Sequence, residues 1–204
     1  MSLTHRNITN SCNNANIAYY HSGIWVKMES SIGTSGTTTD LVDIWGKSDG
    51  SIWTCGYAMD YSQSCILKYN GNSWQIIWSA HAVTTPPYGY LVSTIWAGDT
   101  YLYVGAGDGI YRTPLKGNDS TQKVLSLSLG PYRIRGSAEN NIAVACSDGS
   151  IWHYNGSTWF QETPSYIQKP VKPLYSIAVS TNTIVAVGTD ASTLKGIIII
   201  GRRN

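Results

Sequence analysis

Arg133 and Arg135, with Ile134 between them, are the side chains of this sequence best suited to chemistry. Residues two apart on an extended strand share a face, so the two guanidiniums project the same way. A guanidinium among apolar neighbours needs a partner, and a carboxylate or another oxyanion satisfies it with two parallel bonds. Asp43 holds the corresponding place in an earlier copy of the same segment and is positioned to pair with Arg133 across a channel. Trp45 and Trp96 sit two residues beyond Asp43 and Thr94, where Arg135 follows Arg133. Two uses of the set compete: a structural ion pair that plugs the channel, and an anion or carboxylate site.

A second group of candidates lies in two loops. Residues 56–64 carry Tyr57, Asp60 and Tyr61, and residues 79–91 carry His81, Pro86, Pro87, Tyr88 and Tyr90. Tyrosines with a carboxylate and an imidazole suit a sugar-binding or protein-binding surface; ordinary loop filling, with proline fixing the turn, competes. Asp49, Asp108 and Asp148 stand in Asp-Gly turns, where a carboxylate caps nearby amides. No pair of carboxylates stands out for glycoside cleavage. The histidines (His5, His21, His81, His153) lack ligand spacing, and no Cys-x-x-Cys occurs. The sequence therefore predicts no catalytic residue, no metal site and no cofactor, and hence a non-enzyme. Cys55 and Cys65 fall on adjacent antiparallel strands; a bridge is geometrically possible, and two buried thiols are the simpler reading.

The elements that must hold these residues come from repetition. Ser-Asp-Gly-Ser-Ile-Trp occurs at 48–53 and again at 147–152, each followed by Tyr-Asn-Gly-x-x-Trp, at 69–74 and 154–159. From residue 16 onward, short alternating runs separated by Gly, Asn and Asp predict strands and turns, and no window has sustained helical periodicity. Four copies of a four-strand unit align. The first has strands at 42–46, 51–56, 65–69 and 73–78; the second at 94–97, 101–106, 109–113 and 122–127. The third has them at 133–137, 141–146, 150–154 and 158–161; the fourth stops after three, at 175–179, 183–188 and 196–200. The first-strand isoleucines Ile44, Ile95, Ile134 and Ile177 are 51, 39 and 43 residues apart (44 to 95, 95 to 134, 134 to 177), the period of a propeller blade. Second strands are apolar on both faces, as strands sandwiched between neighbouring sheets must be. Residues 17–28 read as an isolated hairpin. The expectation is an all-β single domain over 1–204, with 1–14 irregular: a small propeller of four blades of four antiparallel strands, its ring closed by the N-terminal strands. Five blades and a swapped oligomer are the alternatives.

Gly105-Ala-Gly-Asp-Gly-Ile-Tyr-Arg112, after Tyr101-Leu-Tyr-Val, resembles the repeats of bacterial two-component-regulator propellers, and the Ser-Asp-Gly-Ser-Ile-Trp segments resemble a shortened Asp-box of sialidase-like propellers. The resemblance covers about residues 42–201 and implies the propeller fold; it carries no chemistry, because propellers host many activities.

Bulk properties narrow the partners. Charged residues make up 13% of 204 and the net charge is +2, without the basic footprint of a nucleic-acid binder. No run is long and apolar enough to span a bilayer as a helix, and the N-terminus lacks the apolar core of a signal peptide; the compartment stays open. With 14 Tyr and 8 Trp against 1 Phe, many rings must sit half wet. The expected function is a non-catalytic binding module, lectin-like or recognising a small ligand through Tyr, Trp and Arg. The alternative is a protein-interaction scaffold with no small-molecule site. The partner is thus a carbohydrate or a protein, with no nucleic acid and no membrane.

Overall fold

The computed structural model describes residues 17–28, 39–58, 61–81, 86–88, 90–117, 120–162, 171–190 and 192–202. Every regular element among them is a strand, as the alternating pattern predicts. The chain divides into two compact units, Met1–Val92 and Ser93–Asn204.

In the first unit, β1 (Ile17–His21) and β2 (Ile24–Met28) form a two-stranded sheet. Ser22 and Gly23 turn it with positive φ at both positions, the backbone twist that tight hairpins require. β3 (Thr39–Gly46), β4 (Ile52–Ala58), β5 (Gln63–Tyr69) and β6 (Trp74–His81) follow as an antiparallel meander in chain order. Leu67, Trp74 and Cys65 form a core with Ile17 of β1, so the hairpin packs on the meander.

The second unit holds three sheets. β7 (Val92–Ala97, beginning at the boundary), β8 (Tyr101–Ala106), β9 (Gly109–Pro114) and β10 (Gln122–Ser126) make the first. β11 (Pro131–Ala138), β12 (Asn141–Cys146), β13 (Ile151–Tyr154) and β14 (Trp159–Glu162) make the second. The third has only β15 (Val171–Val179), β16 (Thr183–Asp190) and β17 (Gly196–Arg202). β12 is buried at all six positions, in keeping with a strand covered on both faces. Ala143, Ala145 and Ile151 pack on Leu174, Ile177, Ala186 and Ile199, which seals the second sheet to the third.

Two strands, 101–106 and 141–146, fall where the repeat places them. The first strands run longer than expected because a bulge interrupts their alternation. The register slips between Leu41 and Asp43, between Pro131 and Arg133, and between Leu174 and Ser176. One extra residue, Val42, Tyr132 or Tyr175, is accommodated at the same place in three sheets. Cys55 and Cys65 do not bridge. Cys55 faces Ile66 and Cys65 faces Gly56 in the β4–β5 register, so their side chains leave opposite faces of the sheet. Cys55 is a buried thiol outside any disulfide, whereas Cys65 is held in a disulfide.

Candidate functional site

The two arginines sit in β11, half-buried, with fully buried Ile134 between them. Arg135 Nη1 donates to the carbonyl of Ile134 at 2.6 Å and to that of Ile95 at 3.2 Å. Thr94 Oγ1 accepts from Ile134 N at 3.0 Å, and Ser93 Oγ donates to Pro131 O at 2.6 Å. Part of the Arg135 fork is thus committed to joining the first strands of neighbouring sheets. In the first unit, Asp43 is almost wholly buried in β3, and its Oδ1 accepts from Ile44 N at 2.9 Å. Trp45 is half-buried, paired across the strands with Trp53. Trp96 is buried in the second unit, 5.6 Å from the Tyr103 ring, and Gly136 lies against its face so closely that a Cβ there would come within 2.7 Å. Trp96 is a packing residue in this arrangement.

The first-unit loop brings two of its predicted tyrosines together. Tyr57 and Tyr61 stack with centroids 5.6 Å apart and planes 27° apart. Tyr61 is 60% exposed and holds φ at +59°, with its N–H donating to Ala58 O at 2.8 Å. A bulky residue in the left-handed region is uncommon, and strain of this kind gathers at functional loops. Tyr90 is exposed nearby in sequence, but Tyr88 is buried edge-on against Trp78 at 4.8 Å. His81 closes β6, its side chain lying outside the described residues, as does Asp60. The turn aspartates cap as expected: Asp49 Oδ1 accepts from Ser51 N and Asp148 Oδ1 from Ser150 N, both at 2.9 Å. Asp108 departs from this, binding the Tyr111 hydroxyl at 3.0 Å and the Lys123 ammonium. Among the described residues no group of three or more His, Cys, Asp or Glu is placed to hold a metal ion.

Two concave sites in the second unit escaped the sequence reading. The larger, about 430 Å³, lies between the β11–β14 sheet and β16–β17, lined by Phe160, Glu162, Ile184, Ile199 and Arg202 among others. At its floor buried His153 meets Asn141, Nε2 to Oδ1 at 2.8 Å, with Phe160 edge-on at 5.1 Å. Asn141 Nδ2 donates to Ser137 Oγ at 2.7 Å and to Ser180 O at 3.0 Å, which fixes the turn before β16. The groove's lining comes from two sheets and the turn before β16, so no local spacing signals it. The smaller site, about 370 Å³, gathers Tyr101, Tyr103, Arg112, Glu139 and Tyr154. Glu139 Oε1 accepts from Thr100 N and Tyr101 N at 2.7 and 2.8 Å, and the Arg112 guanidinium lies 4.4 Å over the Tyr101 ring. Burial, with the Glu139 charge adding to it, pushes the Tyr103 hydroxyl up to about 12. Tyr101 and Tyr103 share β8, but Arg112 is on β9, Glu139 in the turn after β11 and Tyr154 on β13, so no spacing announces the set.

Neither a family model nor a curated relative matches the chain. Solved structures do match in fold. The computationally designed Ika4 protein shares 12% identity and a TM-score of 0.57, over 83% of this chain and 94% of that one. The extracellular domain of a hybrid two-component system from B. thetaiotaomicron shares 11% and 0.60, over 90% of this chain and 24% of that one. YCF48 from Cyanidioschyzon merolae shares 16% and 0.53, over 83% and 52%; a YCF48 structure bound to D1 peptide shares 15% and 0.58, over 89% and 54%. The chain therefore spans about half the length of the YCF48 chains and a quarter of the two-component one. Its fold is of the β-propeller type.

Proposed function

We propose that this chain is a non-catalytic binding module that takes a segment of a partner protein into the groove of its second unit. One observation carries the reading: a groove of about 430 Å³ brings the partly exposed Phe160 together with Ile184, Ile199, Glu162 and Arg202 from two neighbouring sheets. The groove mixes apolar walls (Phe160, Ile184, Ile199) with the His153–Asn141 pair and the charged Glu162 and Arg202, the usual make-up of a recognition site. That YCF48, a protein of similar fold, has been solved with a peptide bound makes a peptide the natural class of ligand to try. Selection of random peptides displayed on phage tests the reading. Phe160 lines the groove and is partly exposed, so Phe160→Glu should weaken the selected peptides at least about tenfold, a loss of ~1.4 kcal/mol. Tyr61→Ala should leave them unchanged. Peptides indifferent to Phe160→Glu, or no enriched peptide, would refute the groove.

A carbohydrate reading is favoured separately by the smaller cleft, where Tyr101, Tyr103 and Tyr154 adjoin the Arg112 donor and the fixed Glu139 carboxylate. Tyr57, Tyr61 and Tyr90 then form an accessory aromatic surface on the first unit. A glycan array decides it: a hit that Arg112→Ala abolishes supports the cleft, and a blank array removes it.

A further inference from the structure

We infer that the smaller cleft takes an acidic sugar, a hexuronic acid whose carboxylate lies on Arg112 and whose ring hydroxyls reach Glu139. This rests on the carbohydrate reading of the cleft and adds the charge of the sugar and the way round it sits. Arg112 is half-buried on β9 and is held in place by neutral groups. Its Nη2 donates to Gln122 Oε1 at 3.1 Å, and its guanidinium lies over the Tyr101 ring. Among the described residues Arg112 joins no ion pair. A partly desolvated guanidinium without a countercharge favours an oxyanion, and a planar carboxylate matches its fork with two parallel bonds. Glu139 shares the cleft but is engaged elsewhere: the Thr100 and Tyr101 amides both donate to its Oε1. Its Oε2 takes no hydrogen bond among the described residues and is left to accept from hydroxyls.

Tyr101 sets the span between the two charges. Glu139 is fixed at its backbone N–H and Arg112 at its ring, so acceptor and donor stand apart by the length of that side chain. The ring of a hexuronic acid covers a comparable span, with its carboxylate on one side and hydroxyls on the other. The reverse placement would set the carboxylate against Glu139, like charge on like, which fixes the orientation. The walls are formed before the sugar arrives. Tyr154 donates its hydroxyl to Gly156 O at 2.8 Å and stacks on Trp159 with centroids 5.1 Å apart. Tyr103 is buried edge-on to Tyr101 at 6.3 Å. With its hydroxyl pushed up to about 12, Tyr103 stays a donor at neutral pH. Rings held in advance lose little freedom on binding, and a cleft of about 370 Å³ has room for a monosaccharide.

The probes are the methyl glycosides of glucuronic, galacturonic and mannuronic acid, titrated into the labelled full chain by NMR. Each is run beside the matching neutral hexose glycoside and its own uronate methyl ester. Sodium acetate at the same ionic strength supplies a carboxylate without a sugar. We expect one uronate to bind at least about tenfold more tightly than its neutral hexose, its ester and acetate, with shifts at Tyr101, Tyr103, Arg112 and Tyr154. Arg112→Gln should cancel the preference, and Arg112→Lys, which keeps the charge without the fork, should lose most of it. The ester comparison needs no variant and holds whatever Arg112→Gln does to folding. Equal binding of acidic and neutral forms in the cleft would overturn the acidic sugar while leaving the carbohydrate reading standing. Acetate bound as tightly as the uronates would show that the hydroxyls add nothing, and would overturn it too. A preference that survives in a folded Arg112→Gln chain would put the carboxylate elsewhere and overturn the assignment. Silence from the whole panel would overturn the acidic sugar, and a blank glycan array beside it would remove the carbohydrate reading as well.

Discussion

Asn141 is the residue on which the groove depends. Its side chain serves the Ser137 hydroxyl, the Ser180 carbonyl and the His153 imidazole at once, and it is buried. Asn141→Ala takes from the buried His153 ring its amide partner, at about 1–3 kcal/mol, while the exposed Ser137 and Ser180 can turn to water. We expect a loss of about 1–3 kcal/mol in urea unfolding; a change below about 0.5 kcal/mol would show that the network is decorative. Acid behaviour is local. Asp190 is held below the ordinary carboxylate value, first by the Ser192 hydroxyl and then by backbone amides, and Asp49 likewise by the Ser51 amide. A carboxyl depressed in the folded state stabilises above its unfolded pKa, and that support is lost as pH falls through the folded value. NMR titration should therefore give both side chains midpoints below 3.8. Cys146 behaves in the opposite sense: burial raises its thiol to about 12, so it should stay unalkylated at pH 8 until the chain unfolds.

At the scale of elements, a single device recurs. Tyr20 faces Trp25, Tyr69 faces Trp74 and Tyr154 faces Trp159 across their hairpins. The ring centroids lie 5.3, 5.4 and 5.1 Å apart. In the remaining copy Thr113 takes the tyrosine's place in the register, opposite Leu102, and its hydroxyl bonds that of Thr121 at 2.8 Å. A double-mutant cycle on Tyr154 and Trp159 should return a coupling of about 0.5–1.5 kcal/mol; a value near zero would mean that the pair is incidental. Gly56 illustrates the close approach at the β3 bulge. A Cβ there would lie 2.0 Å from the Asp40 carbonyl, so Gly56→Ala should cost about 1–3 kcal/mol.

Legibility divided along physical lines. Turns with Asn-Gly or Asp-Gly and strands apolar on both faces announce themselves locally, so nearly every strand could be placed. Bulges at Val42, Tyr132 and Tyr175 could not, since they break the alternation from which strands are read. Of the site residues, Tyr57 and Tyr61 are brought together because they bracket one short loop. Trp96 and Tyr88 turned inward, because aromatic type alone does not say which face is covered. The Arg112–Glu139 cleft was invisible: its members come from β8, β9, β13 and the turn after β11, and only tertiary packing collects them.

For the molecule as a whole, the repeat supplies sheets of four strands and then one of three. The proposed function places partner binding in the groove between the last two sheets of the second unit. The most direct measurement is a map of backbone chemical-shift changes in the labelled full chain as a phage-selected peptide is added. Shifts are expected to concentrate at Phe160, Glu162, Ile184, Ile199 and Arg202, which line the groove. Shifts confined to Tyr57, Tyr61 and Tyr90 of the first unit, with the groove silent, would contradict it.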